Sequence, residues 1–386
     1  MKKVLFVIDS LGCGGAEKSL VSLLPLLNKE KYKIHLWILK RGGVFESLLP
    51  NNVIIQSEPR YSLLEKIKLH IAQLLFSLSL RRNAFLQKHE HGAETYWKCV
   101  GWAFKVPEEN YDVAIAYQQG FPTYLVATKI QAKRKIAWIN VNIYNAGYDS
   151  SFNYAFYDKF NILVPVSEDL NTILKKGYPQ FVDRFFCVYD ILNPTLIIEQ
   201  SLKLINESNM INNNLLLVTT GRLEVQKNYE LAVKSPKLLR DKGIDYKRLF
   251  VGEGSERSKI ENLINEYELQ NNVLLLGLET NPYPYMARCD VYVQTSSFEG
   301  FGLTIAEAKI LGKPVVSTNF DVVHDQLKHG ENGLIAEMTP ESVSGNIIRL
   351  LEDDDLRNHI VANVKKEENT TYISEVEKVE GLLDAD

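Results

Sequence analysis

The feature that most limits how this chain can fold is a recurrence. Short runs that are apolar at nearly every position alternate with segments of helical spacing. In the first half the runs are residues 3–9, 33–39, 52–56, 111–117, 134–139, 162–166 and 185–189; in the second half they are 215–220, 246–251, 273–276, 290–294, 314–318 and 333–336. A run that is apolar throughout, rather than at alternate positions, suits a strand covered on both faces, as in a parallel sheet. Between the runs, Ala16, Leu20, Leu23, Leu24 and Leu27 make one apolar stripe, and Ile260, Leu263 and Ile264 make another. The pattern predicts βαβ repetition twice over, and so an α/β chain of two doubly wound domains.

At 386 residues the chain has room for two domains of roughly 190 each. The break is expected near Asn193-Pro194, ahead of a hinge helix over 196–205 and a polar run at 206–214. This sets domains at 1–193 and 194–363, with a final helix from about 364 that carries Tyr372, Ile373, Val376, Val379 and Leu382. Ligands of such sheets bind beyond the carboxyl ends of the strands, so a cleft between facing domains is the expected site. Lys+Arg 44 against Asp+Glu 48 leaves a net charge of -4, which argues against a general nucleic-acid binder. Cys13, Cys99, Cys187 and Cys289 are scattered without a CxxC pair, which disfavours a disulfide scaffold or zinc site and fits a reducing compartment. The N-terminus has only five apolar residues between its lysines and Asp9, a strand rather than a signal peptide. No stretch reaches the ~18 apolar residues of a membrane span, so the chain is expected to be soluble or to lie on a membrane surface.

Residues 60–105 interrupt the first domain and are basic. Arg60, Lys66, Lys68, Arg81, Arg82, Lys88, Lys98 and Lys105 stand against Glu65, Glu90 and Glu94, a net of 8 − 3 = +5. Leu63, Leu64, Ile67, Ile71, Leu74, Leu75 and Leu78 recur there at helical spacing. Two readings are open: an amphipathic helix in a membrane interface, or a helix packed on its own domain with a solvated charged face.

Glycines mark the ends of several strands. Gly12-Cys13-Gly14-Gly15 follows the first strand and opens a helix, where amide N–H groups and the positive dipole end can meet an anion. The spacing is not that of a dinucleotide fingerprint, and a tight turn would look the same. After 215–220 come Gly221-Arg222-Leu223 and then Lys227; an arginine fork and a lysine at a strand's carboxyl end suit a diphosphate, although alone they are ordinary surface charges. Gly252 and Gly277 end the next two strands, the latter ahead of Asn281-Pro282-Tyr283. The densest signal is Ser296-Ser297-Phe298-Glu299-Gly300-Phe301-Gly302-Leu303-Thr304, which runs into a helix containing Glu307. Amides of Phe301 to Thr304 can point at an anion, Glu299 sits at the helix mouth, and a buried Glu307 would need hydroxyl partners such as a ribose diol.

Glu299 and Glu307 enclose seven residues, and with the Arg222/Lys227 loop, the Val251-Gly252-Glu253-Gly254 turn, the HGENG sequence at His329 to Gly333 and the first glycine loop they resemble a family. The chain is similar to family 4 glycosyltransferases of the bacterial polysaccharide-assembly type, retaining enzymes with two Rossmann-like domains facing across a cleft (GT-B). The resemblance implies that Arg222 and Lys227 hold the donor diphosphate and that Glu307 binds the ribose. Glu299 would take hydroxyls of the donor sugar, with the amides of Gly300, Phe301, Gly302 and Leu303, and Thr304 beside them. Gly14 and Gly15 would approach the phosphates, with Gly252 lining the donor loop and Asn281 near the base. It further implies a nucleotide-sugar co-substrate, a UDP-sugar, with no cofactor and no metal. The final helix would return to the first domain, and the acceptor would be a saccharide or lipid-linked saccharide at the inner face of the cell membrane.

Two positions depart from the family pattern. Asn140 stands where relatives carry a histidine; it cannot relay a proton but can still bond a sugar hydroxyl. Tyr189-Asp190 stands where relatives read Tyr-Asn. These changes keep two alternatives open: a UDP-sugar epimerase on the same scaffold, and a donor-binding partner subunit without catalysis. Pro236 inside an expected helix predicts a kink.

Overall fold

The structure, a computed structural model, describes residues 1–12, 14–57, 59–87, 90–204, 215–367 and 371–385. Cys13, Lys88 and the polar run at 206–214 lie outside the described residues. The chain divides into two compact units, Met1–Ile191 with Glu375–Asp386, and Leu192–Ser374.

In the first unit, β1 (Lys2–Ser10), β2 (Tyr32–Lys40), β3 (Ile54–Ile55), β4 (Asn110–Ala116), β5 (Gln131–Ile139) and β6 (Ile162–Pro165) form one sheet in the order β3-β2-β1-β4-β5-β6. Its pairings are parallel. The apolar stretches Val4–Ile8 of β1 and Ile136–Ile139 of β5 are buried at every residue. The helices are α1 (Gly15–Leu23), α2 (Leu63–Phe85), α3 (Gly92–Val100), α4 (Phe121–Thr128), α5 (Ser150–Tyr157) and α6 (Glu168–Gly177). The stripe of α1 and its continuation, from Ala16 to Leu27, is buried.

The second unit repeats the plan. Helix α7 (Pro194–Ser201) leads to β7 (Leu215–Thr220), α8 (Tyr229–Asp241), β8 (Tyr246–Val251), α9 (Arg257–Glu266), β9 (Val273–Gly277) and α10 (Tyr283–Arg288). Then follow β10 (Val291–Gln294), α11 (Leu303–Ile310), β11 (Val315–Thr318), β12 (Leu334–Ala336), α12 (Pro340–Glu352) and α13 (Asp354–Lys366). The parallel sheet runs β12-β11-β10-β7-β8-β9, so in both sheets the first and fourth strands are neighbours and the strand order reverses between them. That reversal is where ligands of open α/β sheets sit.

The last helix, α14 (Thr371–Asp384), belongs mostly to the first unit. Lys2 Nζ donates to the carbonyls of Leu383 (3.1 Å) and Asp384 (2.8 Å), Tyr189 N donates to Glu375 Oε2 (2.8 Å), and Val379 and Leu383 are fully buried.

Three expectations need correction. Residues 185–189 form no strand: Phe186 N and Val188 N donate to Leu163 O and Pro165 O, so the segment runs beside β6 with too few paired residues to extend the sheet. The run at 52–56 shrinks to the exposed pair Ile54–Ile55. The hinge helix starts at Pro194, with the Asn193 side chain capping Leu196 N, and ends at Ser201. Helix α8 continues through Pro236, a residue packed in the core.

Candidate active site

The site is built where β7 and β10 lie side by side. Gln294, the last residue of β10, is buried and works as a bracket. Its Oε1 accepts from Tyr292 OH (3.1 Å) and Thr304 Oγ1 (3.2 Å), and its Nε2 donates to Ser296 Oγ (2.8 Å) and Glu299 Oε1 (2.8 Å). Ser296 Oγ also donates to Glu299 Oε1 (2.6 Å), as does Lys227 Nζ (2.6 Å). Gln226 Nε2 adds bonds to Phe298 O (2.8 Å) and Glu299 Oε2 (3.3 Å). Four side chains therefore aim one carboxylate. The side chains of Lys227 and Glu299 are only 14% and 10% exposed, so the pair is largely desolvated and its geometry strongly constrained.

The cationic loop after β7 is laced to the next turn by backbone. Gly221 N donates to Val251 O (3.0 Å), Leu223 N to Glu253 O (2.9 Å) and Gly252 N to Gly277 O (2.8 Å). A side chain on Gly252 (φ +151) would collide with the Gly221 carbonyl oxygen, so glycine there is a condition for the loops to touch. The Ser255 hydroxyl, with the Ser255 amide and nearby Arg222, holds the Glu224 carboxyl below the usual range. Arg222 itself is exposed at the loop tip.

Helix α11 opens at Gly302, a left-handed N-cap (φ +86), and its first amides face out of the helix. Gln326 pins the preceding loop by donating to Phe301 O and to Gly302 O (3.2 Å). The HGENG turn stands behind it: Asn332 Nδ2 donates to Gln326 O (3.1 Å), as does Lys309 Nζ (2.8 Å). One turn into α11, Glu307 is fully buried and its Oε1 accepts from Tyr283 OH (3.0 Å). Asn281 spends its side chain within the fold, with Nδ2 on Gln200 O (2.8 Å) and Oδ1 accepting from Tyr283 N (3.3 Å).

In the first unit, Gly14 caps α1 and Gly15 begins it, but the Glu17 carboxylate lies directly against Gly14. Asn140, just past β5, donates through Nδ2 to Tyr117 O (3.1 Å), and its amide N donates to Gln119 Oε1 (2.9 Å); its Oδ1 is buried with no hydrogen bond. Nearby, Ser19 Oγ bonds Tyr117 OH (3.0 Å) and accepts from Ile191 N (3.1 Å). Burial pushes the Asp190 carboxyl up to about 7, against a hydrogen bond from Ser19 that lowers it and with Glu17 adding to the rise. The structure thus brings Arg222, Lys227, Gly252, Glu299, the loop from Gly300 to Thr304 and Glu307 to one sheet's carboxyl end. It sets Gly14, Gly15 and Asn140 at the other sheet's.

Residues 202–367 match the family model described as glycosyl transferases group 1. That span, most of the second unit, is a domain of that family. The matched span includes Arg222, Lys227, Gly252, Asn281, Glu299, the loop from Gly300 to Thr304 and Glu307. Over 363 residues this glycosyltransferase is 27% identical to the N-acetylgalactosamine-N,N'-diacetylbacillosaminyl-diphospho-undecaprenol 4-alpha-N-acetylgalactosaminyltransferase of Campylobacter jejuni, covering 92% of each chain. It is 28% identical over 169 residues to the capsular polysaccharide biosynthesis glycosyltransferase CapM of Staphylococcus aureus, covering 43% of this chain and 44% of CapM. Among solved structures, Anabaena HepE in complex with UDP-glucose superposes with a TM-score of 0.75 at 17% identity over 99% of both chains. Staphylococcus aureus TarM gives 0.67 at 15% identity, over 100% of this chain and 99% of its own. At those identities the likeness is one of fold, and the fold is GT-B.

Sequence reading missed the bracket around Glu299. Gln294 and Ser296 alternate at the end of β10, so a polar pair on one face of an otherwise apolar strand was its signal. It also missed Gln326, which no motif marks.

Proposed function

We propose that the enzyme moves a sugar from a nucleotide diphosphate sugar, a UDP-sugar, to a hydroxyl of a saccharide or lipid-linked saccharide during cell-surface polysaccharide assembly. The observation that carries this reading is the Glu299 carboxylate, held by Lys227, Ser296, Gln294 and Gln226 beside the start of α11. A fixed acceptor at that place suits sugar hydroxyls, while the α11 amides and dipole, Arg222 and the remaining N–H groups of Lys227 suit a departing diphosphate. Glu307, with Tyr283, takes the ribose diol, and Asn140 Oδ1 takes a hydroxyl of the sugar. Asn281 shapes the base pocket through its loop, since its side chain is already bonded. Phosphates near Gly14 and Gly15 require the Glu17 carboxylate to turn away. The base assignment draws support from HepE, solved with UDP-glucose, and the acceptor class from the Campylobacter jejuni relative, whose name specifies an undecaprenol-linked saccharide. Such an acceptor sets the work in the cytoplasm at the inner membrane face.

The displacement is front-side and retains configuration. The bond from the anomeric carbon to the diphosphate oxygen breaks, the acceptor oxygen bonds the same face, and its proton passes to the leaving diphosphate. Arg222, Lys227 and the helix dipole stabilise the charge that develops.

The test is UDP release from a panel of UDP- and GDP-sugars, with and without saccharide acceptors, beside thermal shifts for the wild type, Arg222→Ala and Glu307→Ala. One UDP-sugar should raise the wild-type melting temperature and turn over with acceptor, and both variants should lose the shift. Binding without turnover on any acceptor would favour the non-catalytic partner. No shift with any nucleotide sugar would overturn the donor assignment.

A further inference from the structure

Helix α2 carries an apolar stripe that nothing in its own unit covers. Leu63, Ile67, Ile71, Leu74, Leu78 and Phe85 fall within an arc of about 80° at ~100° per residue, and each is between 48% and 86% exposed. The opposite face anchors the helix. Ala72 and Asn83 are buried, Phe76 packs edge-on against Tyr96 of α3 at 5.0 Å, and Ser79 Oγ meets Cys99 Sγ at 3.5 Å. The start is equally firm: Ser62 and Glu65 form a capping box, and Glu65 also binds Lys105 Nζ at 3.2 Å. The stripe is therefore held outward by a well-packed inner face. A contiguous apolar surface of this kind marks an interaction site.

Charge identifies what it meets. Lys66 and Lys68 flank the stripe on either side, and Arg81 and Arg82 lie at its far end; all four are exposed and, among the described residues, enter no ion pair. The helix has one acid, Glu65, which is already engaged. A second copy laid against this face would bring like charges together in either orientation, Lys66 and Lys68 against Arg81 and Arg82 or each against itself. An anionic sheet of headgroups complements both features at once, taking the leucines between acyl chains and the cations at the phosphates. Among the described residues no helix is long and apolar enough to cross a membrane, so α2 would lie flat rather than span.

We propose that the outward face of α2 docks the enzyme on an anionic lipid bilayer, with the Leu63–Phe85 stripe in the interface and Lys66, Lys68, Arg81 and Arg82 on the headgroups. This rests on α2 alone, not on the donor-site reading, so either can fail without the other.

The experiment is co-sedimentation of the full chain with phosphatidylcholine vesicles, with and without phosphatidylglycerol, across a salt series and without nucleotide. The variants are Lys68→Glu/Arg82→Glu and Leu74→Ser/Leu78→Ser, with melting curves and donor-sugar turnover on a soluble acceptor as controls. The wild type should bind the anionic vesicles and release as salt rises, and each double variant should lose tenfold or more in partitioning with melting and soluble turnover unchanged. No binding, equal binding to neutral vesicles, or variants that still bind would each overturn the proposal. So would a wild-type dimer in sedimentation velocity that the leucine variant abolishes, since a second copy would then cover the face.

Discussion

Replacing Lys227 by methionine tests the physics of the site most directly. At 2.6 Å the ammonium and the Glu299 carboxylate attract by about 6 kcal/mol at an effective dielectric of about 20. Desolvation of two largely buried ions offsets most of that, so the pair contributes little net stability. Removing one partner is different. Lys227→Met leaves the Glu299 side chain without its cation and only 10% exposed, a loss of about 3–5 kcal/mol for a typical buried pair. Ser296 and Gln294 still donate to it, so the expected value is at the low end, about 3 kcal/mol. Glu299→Gln should cost somewhat less, because a lysine can turn towards solvent. The double variant should fall short of the sum by about 1–3 kcal/mol. The assay is urea denaturation followed by circular dichroism and tryptophan fluorescence. All four tryptophans, Trp37, Trp97, Trp102 and Trp138, lie in the first unit, so fluorescence supplies an internal control that should move little. Additivity of the two single changes to within about 0.5 kcal/mol would refute the coupled buried pair.

Other outcomes follow from single contacts. Asp190 is protonated in the fold up to about pH 7, whereas the unfolded chain loses that proton near pH ~3.9; stability contributed by the protonated form therefore declines from about pH 4 to 7 and is gone above. Asp190→Asn should be more stable by about 1–2 kcal/mol at pH 8, once its partial exposure is discounted, melting higher there and little changed at pH 4; equal melting of both proteins at pH 8 would sink this. Gly252→Ala must part the loops at 221 and 252, losing about 1–3 kcal/mol and weakening nucleotide binding, which a thermal shift with UDP would detect. Tyr283→Phe removes the hydroxyl on buried Glu307 and should cost about 1–3 kcal/mol, with the donor KM rising more than kcat falls; an unchanged KM would remove Tyr283 from the donor site.

Much of the fold was legible because its signals are local. Burial of Val4–Ile8 in β1, of Ile136–Ile139 in β5 and of all of β10 follows from runs that are apolar at consecutive positions, and glycines at 221, 252 and 302 mark turns whose backbone side chains rarely adopt. Residues 185–189 misled because an apolar run says that a segment is buried, not that it finds enough backbone partners to be a strand. In the site, Glu299 stood out ahead of Gly300 and Lys227 as the cation five residues after Arg222, yet their pairing did not. They are 72 residues apart, and only the order β10-β7 makes them neighbours. Gln326, 25 residues from the carbonyl it pins, is the same case.

The helix from Leu63 to Phe85 divides the two kinds of knowledge most clearly. Its apolar stripe and its cations are properties of the sequence, since helical spacing over a few turns decides which side chains share a face. Whether that stripe became core or surface depended on which side α3 came to rest against. The fold set α3 on the side of Ala72, Phe76, Ser79 and Asn83, so the leucines face outward. Periodicity determines that a face exists; packing between segments far apart in the chain determines what covers it.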